Sequence, residues 1–240
     1  MSLEGHQLAL ARGDRTLFAG LDLAVDAGEA LWVAGPNGSG KTSLLRLLAG
    51  LARPQHGEVR WHGTPITEQR GRYHAALLWV GHATGSPDDL TPVEHLRHAA
   101  RLRGQACSER DAEQALERFG LGAASRRPAR TLSQGQRKRV GLARLALQPA
   151  PALALLDEPF SALDTSAIQQ LTDVLDGLLA GGSRVVYTTH QPQPLNAPGG
   201  VRELSLGALS PCGSGFSRDG LAARHASRLK PLPQHTGAVS

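Results

Sequence analysis

One stretch constrains the fold of this chain more than any other, the octapeptide GPNGSGKT at residues 35–42. It matches G-x-x-x-x-G-K-[ST], a pattern in which glycines let the backbone turn its N–H groups toward phosphate. The pattern has this meaning only between a strand and a helix. The apolar run 31–34 precedes it and the apolar run 43–49 follows it, as that setting requires. The stretch therefore predicts a phosphate-binding loop (P-loop) on an α/β core.

The residue types in this loop fit a nucleoside triphosphate with its magnesium ion. Lys41 can reach the β- and γ-phosphates, and the hydroxyl of Thr42 can ligate Mg²⁺. The start of the following helix adds its partial positive charge near the phosphates. The predicted nucleotide-binding residues are Gly35, Pro36, Asn37, Gly38, Ser39, Gly40, Lys41, Thr42 and Ser43.

Two acidic residues follow another apolar run. Residues 152–156 read ALALL and predict a buried strand, and Asp157 and Glu158 come directly after it. Carboxylates at the end of a buried strand cost desolvation energy unless they have a task. Beside a P-loop, Asp157 can hold Mg²⁺ through water, and Glu158 can orient or deprotonate the attacking water. The alternative is a strand-end turn with two solvated acids.

Other apolar runs predict the rest of a parallel sheet. Residues 76–80 and 184–189 are such runs, and each is closely followed by a histidine. Parallel strands present their carboxyl ends to one crevice, so the residues that follow them should lie together. The residues expected at this common edge are Gly35, His82, Asp157 and His190.

The segments outside the parallel core have a different pattern. Residues 8–11 and 21–25 have the two-residue alternation typical of strands and are separated by the turn signal RGD at 12–14, which predicts an antiparallel ribbon before the core. Helix-capping patterns begin at Thr91 and at Ser108. Residues from about 85 to 145 therefore predict a helical insert in the α/β protein.

Composition restricts the class of protein and its surroundings. The net charge is +5, but four basic residues against one acid lie after Gly207, in a stretch rich in Gly, Ser and Pro. Residues 207–240 therefore predict a disordered basic tail rather than a nucleic-acid interface, and no nucleic acid is expected as a partner. The two cysteines are isolated, and there is neither an 18-residue apolar run nor a signal peptide. These features predict a cytoplasmic chain without a membrane span.

The order of the motifs resembles the nucleotide-binding subunits of ABC transporters, over about residues 3–206. Besides the P-loop and the two acids, the matching parts are LSQGQ at 132–136, the segment 161–164 and a histidine at 190. The resemblance implies an α/β fold, a P-loop NTPase with a RecA-like parallel-sheet core and an N-terminal antiparallel β ribbon. It also implies a helical signature subdomain inserted in one cassette, residues 1–206.

The same resemblance implies roles for these residues, with ATP and Mg²⁺ as the cofactors. Two copies would form a homodimer with two ATP molecules between them. Asp164 would lie at that interface, His190 would sense the γ-phosphate, and Glu158 with His190 would be catalytic. The signature residues that would contact the ATP bound by the other copy are Leu132, Ser133, Gln134, Gly135 and Gln136.

Two positions depart from the family pattern. His82 stands where the family usually has a glutamine, and a neutral imidazole could still bond a metal-bound water. His82 is therefore either part of the Mg²⁺ site or a strand-end packing residue. The ribbon also lacks the aromatic residue that usually stacks on adenine. Arg12 could stack its guanidinium there instead, or the base could be held loosely.

Less specific marks resemble the haem-exporter ATPases of bacterial cytochrome c maturation. They are GHATG at 81–85, TLSQGQR at 131–137 and TTHQ at 188–191. This resemblance implies a peripheral subunit at the cytoplasmic face of the bacterial inner membrane, with membrane-spanning permease partners in separate chains. It would power haem export or the release of a haem-loaded chaperone. The alternatives are the ATPase of another ABC exporter or importer and, more remotely, an ABC ATPase that acts on nucleic acid.

Overall fold

The computed structural model describes residues 2–81 and 89–207, and the backbone of 229–231. The described strands and helices, in chain order, are β1 (Leu3–Arg12), β2 (Arg15–Val25), β3 (Ala30–Ala34), α1 (Lys41–Leu48), β4 (His56–Trp61), β5 (Thr64–Pro65), α2 (Arg70–Ala76), β6 (Leu77–Val80), α3 (Pro92–Leu102), α4 (Glu109–Glu117), α5 (Gln134–Ala143), β7 (Leu153–Leu156), α6 (Thr165–Ala180), β8 (Arg184–Thr188), β9 (Val201–Ser205) and β10 (Leu229–Pro231). Within these ranges no helix is long and apolar enough to cross a bilayer.

Five parallel strands form the central sheet, in the spatial order β9-β3-β8-β7-β6. Every residue of β3, β7 and β8 is buried. Strands that are covered on both faces read as continuous apolar runs, which is the pattern that the sequence shows there. The predicted parallel core is confirmed.

Helices cover both faces of this sheet. Successive side chains of a strand point to opposite faces, so each strand packs against helices on both sides. Leu31 and Val33 of β3 pack with Leu44 of α1 in one cluster of buried residues. Trp32 points the other way and shares a second cluster with Leu171 of α6. Full burial of one such leucine contributes about 1.5–3 kcal/mol. The sheet is therefore packed between two apolar layers, and the loops that follow its strands begin at the edge of this core.

A second, antiparallel sheet stands beside the first, in the order β2-β1-β4-β5. Leu3, Leu21 and Val59 from its strands belong to the same buried cluster as α1. The predicted N-terminal ribbon of β1 and β2 is confirmed, and β4 and β5 extend it to four strands. The ribbon is thereby anchored against the helix that follows the P-loop.

In the described part of the stretch between β6 and β7 lie the α-helices α3, α4 and α5, together with short 3₁₀ turns. Each of these α-helices begins at a hydroxyl residue whose side chain accepts a hydrogen bond from the N3 backbone N–H and whose own N–H donates one to the N3 side chain. This arrangement is a capping box, and it is present at Thr91, Ser108 and Ser133. The capping boxes predicted at Thr91 and Ser108 are confirmed. The short helix α2 was not predicted, because its N-cap residue Gln69 makes no side-chain capping bond and leaves no signal.

Two predictions fall on residues outside the described ranges. One is His82, and the other is most of the tail, 207–240. Within that tail the expectation of disorder does not hold for β10, which pairs antiparallel with the edge strand β9. Its backbone groups find partners in a sheet that exists only in the folded chain, so local composition could not reveal the strand.

Candidate functional site

The loop between β3 and α1 has a backbone that only glycine permits at two points. Gly35 has φ of 145°, and a Cβ there would lie 2.5 Å from the carbonyl oxygen of Leu206. Gly40 has φ of 101°, and a Cβ there would lie 3.1 Å from Cβ of Leu17. Side chains are strained at both φ values, and at Gly35 the carbonyl contact also leaves no room for a Cβ. The glycines of the motif therefore set the path of the loop.

Lys41 is the first residue of α1, and only 8% of it is exposed. Its ammonium donates hydrogen bonds to the carbonyl oxygens of Gly35, at 2.7 Å, and of Pro36, at 3.2 Å. The loop thus curls around the lysine. Ser39 is also buried, and its hydroxyl has no hydrogen-bond partner among the described residues. A buried polar atom of this kind fits a loop that bonds a polar ligand.

The N-terminus of α1 faces the same loop. Its N-cap is Gly40, which offers no side-chain cap, and its first turn holds no acidic residue. The first N–H groups of a helix lack partners within the helix and carry a partial positive charge. An anion such as a phosphate group is therefore favoured at this end.

Asp157 stands at the carboxyl end of β7 and is 4% exposed. Its Oδ1 accepts hydrogen bonds from the hydroxyl of Thr42, at 3.1 Å, and from the hydroxyl of Thr188, at 3.0 Å. The ends of α1, β7 and β8 therefore meet at one carboxylate oxygen. Thr42 and Asp157, predicted to share a metal site, are 115 positions apart in the chain and lie in contact.

Thr188 is a residue that the sequence analysis did not assign to the site. It is fully buried at the end of β8, and its hydroxyl also accepts the N–H of Glu158, at 2.8 Å. The available signal was a polar residue near the end of an apolar run, two positions before His190. That signal could not say which acids the hydroxyl would meet, because β7 and β8 pair only in the folded sheet.

Glu158 and His190 face each other across the strand ends. Oε1 of Glu158 lies 3.7 Å from Nε2 of His190. The glutamate side chain is 16% exposed and that of the histidine 64%. Glu158 also has φ of 51°, in the left-handed region that residues with side chains rarely adopt. Strain of this kind is common where a side chain must be aimed at a ligand.

A cleft of about 460 Å³ joins these groups. Its wall includes Arg12, so the residue predicted to face the adenine base does stand at the site. Arg15 and Leu17 also line it, and neither was predicted, because the approach of the ribbon to the P-loop is a tertiary contact. The remaining lining residues are Asn37, Gly38, Gly40, Lys41, Thr42, Ser43, Glu158 and His190. A larger cavity, of about 680 Å³, lies away from these groups between α1, β4 and α2.

The signature residues do not line this cleft. Ser133 is the N-cap of α5, and a Cβ on Gly135 would lie 3.6 Å from the carbonyl oxygen of Ala162. Gln136 accepts the N–H of Ser133 at 2.9 Å, while Leu132 is buried and Gln134 is exposed. The signature thus stands at a helix start apart from the cleft of its own chain.

Asp164 is exposed and outside the cleft as well. Its Oδ1 accepts the N–H of Ala167 at 2.8 Å, so it is the N-cap of α6. An N-cap of this type contributes about 1 kcal/mol to helix stability. Asp164 therefore has a structural role within one chain, as the N-cap of α6.

The residues present fit Mg²⁺ better than a metal held by protein alone. The hydroxyl oxygen of Thr42 and a carboxylate oxygen of Asp157 are hard ligands 3.1 Å apart. In the described ranges no group of three or more His, Cys, Asp or Glu residues could hold a metal ion. Mg²⁺ typically takes one or two protein oxygens and completes its shell with phosphates and water. His82 lies outside the described residues, so its place at this site stays a prediction.

Comparison with known proteins places this geometry in a family. The sequence profile described as ABC transporter matches residues 18–161. A cytochrome c biogenesis ATP-binding export protein from Aromatoleum aromaticum is 50% identical over 203 residues, covering 85% of this chain and 95% of that protein. The protein of the same name from Dechloromonas aromatica is 47% identical over 206 residues, covering 85% of this chain and all of that relative.

Solved structures agree with this grouping. An ABC transporter ATP-binding protein from Pyrococcus furiosus has a TM-score of 0.74 at 23% identity, covering 86% of this chain and 98% of that one, and it shows the shared fold. A dimeric ATP-binding cassette, solved in a post-hydrolysis state with ADP and Pi, has a TM-score of 0.73 at 25% identity and covers 85% and 94%. The chain therefore belongs to the ABC transporter family and, within it, to the cytochrome c biogenesis ATP-binding export proteins.

Proposed function

We propose that this chain binds ATP in the cleft beside the P-loop and hydrolyses it to drive export in cytochrome c biogenesis. The observation that carries the proposal is the meeting of the loop, Asp157 and Glu158. Asp157 bonds the hydroxyl of Thr42, and Glu158 follows it at the mouth of the same cleft. A phosphate cradle, a metal-holding acid and a second carboxylate are what ATP hydrolysis needs.

The loop and the start of α1 bind the triphosphate in this proposal. Lys41 supplies the only full positive charge of the loop, and the uncapped N–H groups of α1 add donors. Gly38 and Gly40 line the cleft and let the backbone approach the phosphates closely. The full set of binding residues is that of the motif, from Gly35 to Ser43.

Mg²⁺ would be held by the hydroxyl of Thr42 and, through water, by Asp157. When bound, it screens the phosphate charge and stabilises the charge that develops on the leaving oxygen. Thr188 keeps Asp157 in place by donating to the same oxygen that Thr42 bonds. His82 would join this site from the end of β6.

Glu158 is the proposed general base. It takes a proton from water as the water oxygen bonds to the γ-phosphorus and the bond to the β,γ-bridging oxygen breaks, releasing ADP. His190 lies 3.7 Å from its carboxylate, close enough to bond the γ-phosphate or the attacking water beside it. Arg12, on the cleft wall, would stack its guanidinium on the adenine.

Two copies of the chain would act together. Ser133 and Gly135 stand outside their own cleft, which supports a role in completing the site of the other copy. A homodimer would place the start of α5 against that site, with Leu132, Gln134 and Gln136 around it and Asp164 at the interface. The related cassette with ADP and Pi was itself solved as a dimer. In this arrangement residues 1–206 form the cassette, with the helical subdomain of about 85–145 inserted in it.

The export task requires other chains. Relatives that cover most of this sequence carry the name export protein, and export through a membrane needs spanning subunits. We propose that permease subunits of cytochrome c maturation supply the spans and that ATP hydrolysis powers haem export or the release of a haem-loaded chaperone. The chain would then be peripheral at the cytoplasmic face of the inner membrane.

The test uses the Glu158→Gln variant, which should bind ATP but lower turnover about 100-fold or more, since a general base contributes about 10²–10⁴-fold. The variant is captured with ATP from detergent-solubilised membranes, and the partners are identified by mass spectrometry. Asp173→Asn is the matched control, because this exposed acid of α6 bonds only Gln169 among the described residues.

Recovery of membrane-spanning cytochrome c biogenesis proteins would support the proposal. Recovery of a different permease would discard the haem role and keep the ATPase. Recovery of ribosomal or nucleic-acid-bound partners alone would contradict export. Unchanged turnover in Glu158→Gln would remove Glu158 from the role of base.

A further inference from the structure

Lys138 of α5 reaches the corner of the chain that carries Glu158. Its ammonium donates to the carbonyl oxygen of Glu158, at 2.7 Å, and to that of Ser161, at 2.6 Å. It also donates to the hydroxyl of Ser161. An ammonium has three N–H donors, so these three contacts use all of them. Lys138 is therefore held in one direction, onto the backbone just after β7.

These contacts act on a strained backbone. Glu158 has φ of 51°, a left-handed conformation that persists in a residue with a side chain only where its surroundings hold it. Its N–H donates to the hydroxyl of Thr188, at 2.8 Å, and its carbonyl accepts from Lys138 and from the hydroxyl of Ser161, at 2.9 Å. The backbone N–H and the backbone carbonyl of Glu158 are thereby both held. This sets the direction in which its side chain leaves the backbone.

The charge of Lys138 is placed near the acids without pairing with them. Among the described residues it forms no ion pair, since its contacts are carbonyl and hydroxyl oxygens. Burial lowers the pKa of Lys138, and the nearby carboxylates of Glu158 and Asp157 oppose that shift. Lys138 therefore bonds the backbone carbonyl oxygen of Glu158 and not its carboxylate. The carboxylate oxygens are left to face the cleft, where a ligand would bind.

We propose that Lys138 is a positioning residue that fixes the backbone of Glu158 and ties it to the helix of the signature motif. Lys138 follows Ser133, the N-cap of α5, by little more than one helical turn. If contact with nucleotide displaces α5, the side chain of Lys138 would therefore shift the backbone of Glu158. The inference rests on the proposed function, in which Glu158 is the base and the start of α5 meets ATP.

The test replaces Lys138 by Met, which keeps the apolar stem and removes the ammonium. In the membrane complex that co-purifies with the chain, we expect kcat to fall about 10- to 100-fold, because small misplacement of a catalytic group costs up to about 10²-fold. KM for ATP should stay within about twofold, since Lys138 does not line the cleft. Lys138→Arg should restore at least part of kcat, because guanidinium also donates to several carbonyls.

Arg139→Met is the matched control. This neighbouring cation of α5 donates instead to the carbonyl oxygen of Phe119, at 3.3 Å, and should leave kcat unchanged. A second control combines Lys138→Met with Glu158→Gln. If Lys138 acts through Glu158, the double variant should be no slower than Glu158→Gln alone, since effects that share one partner are not additive.

The proposal would be overturned by an unchanged kcat in Lys138→Met, by equal losses in Arg139→Met, or by a further loss in the double variant. A rise in KM that matches the fall in kcat would also overturn it, as the mark of a general structural defect. If the proposed function were wrong, the result would be different: Glu158→Gln itself would hydrolyse ATP at the normal rate.

Discussion

The hydroxyl of Thr188 joins the two acids of the site, and its removal gives a sharp test of the geometry. It donates to Oδ1 of Asp157 at 3.0 Å and accepts the N–H of Glu158 at 2.8 Å, and the residue is 0% exposed. Thr188→Val keeps the shape of the side chain and removes only the hydroxyl. Both bonds are then lost inside the protein, where water does not replace them.

The expected loss of stability follows from these two bonds. A buried N–H left without a partner costs about 1–3 kcal/mol, and a hydrogen bond to a charged group contributes about 1.5–3 kcal/mol. With partial relaxation of the strand end, we expect the free energy of unfolding to fall by about 3 kcal/mol. For a chain of this size that lowers Tm by about 6–12 °C. Turnover should fall as well, because Glu158 loses one of the groups that hold its strained backbone.

Urea and thermal unfolding, followed by circular dichroism, measure this effect. Thr172→Val is the matched control, since Thr172 is also buried, at 6% exposure, but lies on α6 and contacts neither acid. Thr188→Ser keeps the hydroxyl and should retain most of the stability. A loss below about 1 kcal/mol in Thr188→Val, or an equal loss in the control, would show that the two bonds contribute nothing specific.

Two further predictions concern the loop and the helical region. Lys41→Ala should weaken ATP binding about tenfold to a hundredfold, since a charge-assisted hydrogen bond contributes about 1.5–3 kcal/mol. Arg46→Ala, on the exposed face of α1, should leave the affinity for ATP unchanged. Equal affinities of the two variants by calorimetry would contradict the P-loop assignment. Hydrogen bonds from the Thr91 backbone and hydroxyl lower the pKa of Glu94 below its ordinary 4.5, so this stabilisation is present near neutral pH and is lost as pH falls through the lowered value. Thr91→Ala should therefore cost more stability in urea titrations near pH 7 than near pH 3, and a cost independent of pH would refute the assignment.

Much of the fold could be predicted because its signals are local. The capping boxes at Thr91 and Ser108 each lie within four consecutive residues, and the structure contains both. The strands β3, β7 and β8 read as apolar runs because each is covered on both faces. Helix α2 and strand β10 carry no such signal, since one lacks a side-chain cap and the other depends on the edge of β9.

The site could be predicted only as a set of residues. The P-loop and the two acids stood out because glycines, a lysine and paired carboxylates are unusual beside apolar runs. The rule that parallel strands end at one edge predicted that Gly35 and Asp157 lie together, and the contact of Thr42 with Asp157 agrees with their predicted roles at Mg²⁺. Their supporting residues did not follow from any rule, and neither Thr188 nor Lys138 was assigned to the site.

The sequence by itself therefore determined the chemistry available to this protein: a phosphate-binding loop, an acid for Mg²⁺, a carboxylate base candidate and a signature helix, all recognisable from local patterns. Only the tertiary structure decided what holds them. Glu158 donates its N–H to Thr188 and accepts from Lys138 at its carbonyl, and these partners are 30 and 20 residues away along the chain. Such contacts depend on the pairing of β7 with β8 and on the packing of α5 against the end of β7, and no local pattern encodes either one.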